Sequence, residues 1–148
     1  MHKQEIITWA PGFETGVSDI DEQHRILVDA LNEANAKLQH ETRREAIDQL
    51  LQDLLAYAIY HFETEEMLMR EHGYFAAEPR VAEAHLAQHR DFAARVVALR
   101  EHFTTTGELD RDALLGFLNQ WLTGHILGID QALGRYLAQR SVAGTEVR

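Results

Sequence analysis

Apolar positions recur along this chain with the three-and-four spacing that lines one side of an α-helix, in four long stretches parted by short breaks. The first is predicted from about Asp19 to Leu38, with Ile20, Leu27, Leu31, Ala34 and Leu38 on one side and Ser18 or Asp19 as its N-cap. The second opens at "TRRE", where Thr42 can cap while Glu45 reaches back. It carries Ile47, Leu50, Leu54, Ala58 and Met69 and stops at Gly73. Pro79 suits the first turn of a third helix that runs through Val81, Val96 and Leu99 to about Phe103. A fourth begins near Asp110 and continues through Leu114, Leu118, Trp121, Ile129, Leu133 and Leu137. No alternating pattern of strand length competes with these. Breaks this short force neighbours to run antiparallel, so the predicted fold is all-α, an up-down-up-down four-helix bundle. Residues 1–17 are expected to form an N-terminal arm, with Trp9 and Phe13 packing on a bundle of residues 18–140. The terminal "SVAGTEVR", residues 141–148, is expected to fray.

Composition narrows the class. A chain of 148 residues with two prolines and no low-complexity run is expected to be one domain, 1–148, large enough to bury a real core. A net charge of −10 argues against nucleic acid as a partner, because that role needs a basic footprint. No stretch is long and apolar enough for a membrane span, and "MHKQEIITWAPG" lacks the apolar centre of a signal peptide, so a cytoplasmic protein is expected. With no cysteine there is no disulfide, thiolate metal site or iron–sulfur cluster, and any metal must be held by nitrogen and oxygen. Nine histidines are a generous supply of such ligands.

Five of them fall at telling places: His24 in the first helix, His61 in the second, His85 and His89 in the third, and His125 in the fourth. Glu65 lies four residues after His61, and His85 and His89 are four apart, so each pair shares a helix face. Asp130 follows on the fourth helix. Counting residues from the helix ends at about 1.5 Å per residue brings His24 and His61 within roughly 6 Å of one level, and the others close to it. Burying five imidazoles and two carboxylates without compensation would cost many kcal/mol, which a bound metal cluster would remove. The set is too large for one tetrahedral zinc and too rich in imidazole for calcium or magnesium. Two six-coordinate metals fit, with bridging carboxylates, histidines divided three and two, a water-derived bridging oxygen and one open position on the two-histidine metal. Iron is the natural candidate for nitrogen and oxygen ligands beside a vacant site.

These residues make the chain resemble the bacteriohemerythrins over nearly its whole length. "ITWAPGFETGVSDIDEQHRILV" resembles that family's arm and first helix, "HFETEEMLM" its second-helix motif, "HLAQH" its third and "WLTGHILGID" its fourth. The resemblance implies two non-haem irons with an oxo or hydroxo bridge: His85, His89 and His125 on one, His24 and His61 on the other, Glu65 and Asp130 across both. It implies dioxygen as the partner, bound end-on at the iron held by His24 and His61 through reversible two-electron transfer. Trp121, Leu122 and Ile126 would line the oxygen pocket. The implied role is oxygen storage, delivery or sensing by a monomer, with a transient protein partner receiving the oxygen. The competing reading is a di-iron enzyme of peroxidase-like or nitric-oxide-handling activity. Against it stands the absence of the Glu-x-x-His motifs that di-iron oxidases use. One departure from the family is "GYFAAEPRVAEAH", which inserts several residues before His85 and is expected to alter the pocket's edge or a partner surface. His2, His40, His72 and His102 match no ligand position and are read as surface residues.

"GHILGID" raises a geometric problem. His125 and Asp130 are five apart, which on a regular helix turns them about 140° from each other. A single π-type turn tolerated by Gly128 is the predicted solution, with Gly124 allowing a neighbouring side chain to approach.

Overall fold

The computed structural model describes residues 9–142. Helices α1 (Ser18–Leu38), α2 (Arg44–Glu71), α3 (Tyr74–Ala77), α4 (Pro79–Thr106), α5 (Arg111–Leu127) and α6 (Ile129–Val142) follow a single 3-10 turn at Pro11–Phe13. The described residues contain no strand. Helix α1 packs on α2 and α5, α2 packs on α4, and α4 on α5, with α5 and α6 together making up the fourth helical segment. This closes the up-down-up-down four-helix bundle expected from the short breaks. The residues assigned to the inner face of α1 are buried along its length, from Ile20 to Leu38, and Leu54, Ala58, Leu114, Leu118, Leu133 and Leu137 are buried on the others.

Helix ends follow the sequence at three places and depart from it at two. Gly73 ends α2 with φ 71°, Pro79 opens α4, and Asp110 caps α5 by accepting the Ala113 N–H at 3.0 Å. Neither Ser18 nor Asp19 caps α1, which starts at Ser18 after Val17. Instead Asp21, one turn inside, reaches back to accept Thr15 N–H at 2.7 Å, Gly16 N–H at 3.1 Å and the Thr15 hydroxyl at 2.8 Å. The Thr42–Glu45 capping box is also absent. There the N-cap position falls to Arg43, and Glu41 accepts both its backbone N–H at 2.9 Å and its guanidinium at 3.0 Å.

The arm is partly described. Phe13 is buried in the bundle and Trp9 packs beside it, with the two rings 5.2 Å apart, while residues 1–8 and 143–148 lie outside the described residues. Where the arm crosses α6, Gly134 makes room for it: a Cβ there would sit 2.5 Å from the Thr15 carbonyl oxygen. The residues inserted after Gly73 form α3, and Tyr74 on it is buried with its ring 4.8 Å from that of Tyr136.

The core falls into two apolar clusters. The larger includes Leu27, Leu31, Leu51, Phe62, Phe92, Leu118, Leu122 and Ile126. The smaller gathers Val17, Ile20, Leu68, Met69, Tyr74, Ala82, Leu133 and Leu137. On each long helix the chain passes from one cluster to the other across a polar position: His24 between Ile20 and Leu27, Glu65 between Phe62 and Leu68, His85 and His89 between Ala82 and Phe92, Asp130 between Ile126 and Leu133.

Candidate metal centre

That polar layer holds all seven residues expected from the sequence. His24, His61, Glu65, His85 and Asp130 are fully buried, and His125 and His89 are 2 % and 3 % exposed. The carboxylates stand in the middle and divide their oxygens. Glu65 turns Oε1 to His89 Nε2 at 2.9 Å and His85 Nε2 at 3.2 Å, with His125 Nε2 at 3.7 Å. Its Oε2 faces His61 Nε2 at 3.2 Å and His24 Nε2 at 3.5 Å. Asp130 repeats the division, with Oδ1 3.0 Å from both His85 and His125 and Oδ2 2.8 Å from His24.

Of these approaches, only those of His85 and His89 to Glu65 Oε1 are hydrogen bonds. Glu65 Oε2, both Asp130 oxygens and the Nε2 atoms of His24, His61 and His125 are buried with no hydrogen-bond partner. Buried polar atoms are normally satisfied, so a group of them aimed together rather than paired needs a ligand at the point of convergence. Two sets of atoms each lie within 4.8 Å of one another: Glu65, His85, His89 and His125, and His24, His61, Glu65 and Asp130. The donors are imidazole nitrogen and carboxylate oxygen alone, which suits a transition metal and excludes a thiolate-loving one. The residues therefore fit two metal positions sharing the carboxylates.

The electrostatics agree. Burial pushes the His24 imidazole down, yet the Asp130 and Glu65 carboxylates outweigh it and raise the group to about 9. The same contest lifts His85 to about 10 and raises His125. Burial acts upward on Glu65 and Asp130, but the surrounding imidazoles hold both carboxyls below their usual range. Two anions fixed in a dry interior among nitrogen donors are prepared for cations.

Apolar side chains close the layer on the side of the larger cluster. A cavity of ≈ 10 Å³, room for about one water-sized molecule, lies there among Leu27, Leu31, Ala58, Phe62, Leu118 and Leu122. Of the three residues expected at an oxygen pocket, Leu122 lines this cavity, Trp121 stacks on His125 at 4.5 Å and 13°, and Ile126 is fully buried in the larger cluster. The inserted α3 packs against the smaller cluster, on the opposite side of the layer from the cavity. His40 and His102 are exposed and His72 is partly so, while His2 lies outside the described residues.

Residues 15–137 match the hemerythrin HHE cation binding domain. The chain belongs to the hemerythrin family. It is 35% identical to the bacteriohemerythrin of Stenotrophomonas maltophilia over 128 residues, 86% of this chain and 78% of that one. It is 31% identical to the bacteriohemerythrin of Methylococcus capsulatus over 137 residues, 90% of this chain and 98% of that one. A myohemerythrin from Riftia pachyptila is 30% identical over 122 residues, 82% and 86% of the two chains. The crystal structure of a wild-type hemerythrin superposes with a TM-score of 0.77 at 28% identity, covering 89% of this chain and 98% of that one.

This hemerythrin departs from the sequence expectation in how His125 and Asp130 reach one centre. The helix breaks at Gly128, whose φ of −104° and ψ of −90° are not helical, and no π-helical turn forms. Gly128 N–H still bonds Gly124 O at 2.9 Å, and its own carbonyl then accepts from Gln131 N–H at 3.1 Å and Ala132 N–H at 3.3 Å, restarting the helix as α6. Rotation at one residue re-aims Asp130, which a wider turn would otherwise have done. Gly124 receives no neighbour, since a Cβ there would meet nothing within 4 Å.

Three residues that touch the centre from outside were not singled out from the sequence: Gln23, Glu66 and Gln88. They accept the Nδ1–H of His61, His89 and His125 at 2.8, 2.8 and 2.7 Å. Each bridges to a ring on another helix, so no spacing within one helix announces it.

Proposed function

We propose that this hemerythrin binds dioxygen reversibly at a non-haem pair of irons, with His85, His89 and His125 holding one, His24 and His61 the other, and Glu65 and Asp130 bridging them. The observation that carries this reading is the division of both carboxylates, one oxygen toward each set of imidazoles. The names of the relatives, bacteriohemerythrin and myohemerythrin, support the same reading.

A pair of irons bound there supplies the two electrons that dioxygen takes on binding and returns on release. The chain supplies the rest. Hydrogen bonds from Nδ1 to Gln23, Glu66 and Gln88 fix three rings in the tautomer that leaves the Nε2 lone pair facing inward. Five neutral donors against two carboxylates keep the pair from favouring the high-valent metal of an oxidase. Leu122, Phe62 and Leu118 wall the approach with hydrocarbon and keep water out. Trp121 covers the outer face of His125. The proposed role is storage, delivery or sensing of oxygen rather than turnover, by a cytoplasmic monomer that passes oxygen to a transient partner. No helix among the described residues is long and apolar enough to cross a membrane.

Iron loading under anaerobic conditions followed by air tests this directly. The colourless protein is expected to take up two irons per chain, colour on one equivalent of dioxygen per pair and bleach when oxygen is removed. His61→Ala should abolish oxygenation, and a His61→Ala protein that still oxygenates reversibly overturns the assignment. Sustained oxygen consumption with an added reductant would place the chain among di-iron enzymes instead.

A further inference from the structure

The outer nitrogens of the five imidazoles are not treated alike. His24 Nδ1 and His85 Nδ1 are buried with no hydrogen-bond partner. His61 and His125 donate to the side-chain carbonyls of Gln23 and Gln88, and His89 donates to the Glu66 carboxylate. The Gln23 amide has a defined sense: its Nε2 donates to the Thr64 hydroxyl at 3.3 Å, and that hydroxyl donates to the Tyr60 carbonyl at 3.2 Å. Among these three acceptors only Glu66 is an anion.

Orientation alone does not explain Glu66. The His89 ring is already held in plane by Phe62, stacked on it at 4.0 Å and 11°, and its Nε2 is set 2.9 Å from Glu65 Oε1. What a carboxylate adds to a ring so fixed is charge. A carboxylate accepting Nδ1–H draws that proton toward itself and makes the imidazole a stronger electron donor through Nε2. An amide in the same place holds the ring and adds little. Hydrogen bonding of this kind around a ligand is one of the levers by which a protein sets a metal's potential.

Resting on the reading of the site as a pair of irons, we propose that Glu66 is a positioning residue that acts through His89 to enrich the three-histidine metal in electrons relative to the two-histidine metal, and so sets the potential of the pair. The two-histidine side has no anionic partner: His61 meets Gln23, and His24 Nδ1 meets nothing. Glu66 is 25% exposed, at the rim of the layer, so it carries its charge without the burial that Glu65 bears.

The test is a mediated redox titration of the iron-loaded protein, with iron content measured in the same samples. Glu66→Gln keeps an acceptor at His89 and removes the charge. It is expected to favour reduction by about tenfold, a rise of about 59 mV for a one-electron step. Gln88→Glu places a carboxylate on His125 and should move the potential the other way. Glu63→Gln removes the same charge from an exposed position on the same helix and should shift it far less. Equal shifts in Glu66→Gln and Glu63→Gln, or shifts of one sign in Glu66→Gln and Gln88→Glu, overturn the proposal. Should Glu66→Gln fail to hold iron, Gln88→Glu decides alone: a lowered potential supports the proposal and an unchanged one overturns it. Wild-type protein that takes up no pair of irons refutes the functional reading, whereas normal uptake with an unmoved potential in Glu66→Gln refutes only this inference.

Discussion

Leu122 stands one helical turn before His125 and is both core and wall: it is buried in the larger cluster and lines the cavity beside the polar layer. Leu122→Ala removes hydrocarbon from both roles. Core truncations of this kind cost roughly 2–5 kcal/mol, more where the site cannot collapse, and a cavity already present next to the truncated side chain limits collapse. Thermal or denaturant unfolding should register a loss in that range. Because Leu122 lies one turn before His125, its truncation extends a cavity with room for about one water-sized molecule and thins the hydrocarbon that keeps water from the polar layer. Leu122→Ala exposed to air is therefore expected to pass to the oxygen-unresponsive diferric form faster than wild type, the reduced oxygen leaving as hydrogen peroxide, followed by loss of its visible absorption and by peroxide release. An unchanged rate would remove Leu122 from the oxygen pocket.

At the scale of the element, the break between α5 and α6 tells most about how the site is built. A Cβ on Gly128 would lie 2.9 Å from the Gly124 carbonyl oxygen, a backbone atom that cannot swing aside. Gly128→Ala is expected to cost about 1–3 kcal/mol and, because Asp130 is aimed by this break, to reduce iron content per chain. Gly124→Ala is the contrasting case. Its Cβ would meet nothing, and replacing an exposed helical glycine should stabilise by roughly 0.4–1 kcal/mol with iron content unchanged. Paired melts and iron assays separate the two, and equal iron loss in both variants would show that the break does not aim the carboxylate. This element also marks how far sequence carries. The four long helices were legible because burial imposes a period, and His24, His61, Glu65, His85, His89 and His125 were legible because their level follows from helix length. The Gly128 break was not, because several backbone solutions bring positions five apart into line and only the surrounding packing selects one. The caps of α1 and α2 were not legible for a related reason: Asp21 and Glu41 fix the helix starts by accepting from Thr15, Gly16 and Arg43, outside the first-turn donors by which a cap is recognised in sequence.

Across the whole molecule, the polar layer separates the smaller apolar cluster from the larger. In the proposed metal-bound form that layer would tie α1, α2, α4 and the α5–α6 junction together, since its residues come from all of them. Without metal it leaves buried donors unpaired and carboxylates held only by imidazoles, a poor substitute in a dry interior. Removing iron by reduction and chelation should therefore lower stability, by about 2.7 kcal/mol where free metal had stood a hundredfold above its Kd. The loss should also be uneven. The larger cluster spans most of the bundle length and keeps its own contacts, whereas the smaller one joins the arm at Val17, the short α3 at Tyr74 and α6 at Leu133 and Leu137. Hydrogen exchange on the metal-free protein is expected to show faster amides around Val17–Ile20, Leu68–Tyr74 and Leu133–Leu137, with protection retained around Leu51, Phe92 and Leu118. Loss of protection spread evenly over both clusters would mean that the layer does not divide the bundle mechanically, and that the metals stabilise the fold only as a whole.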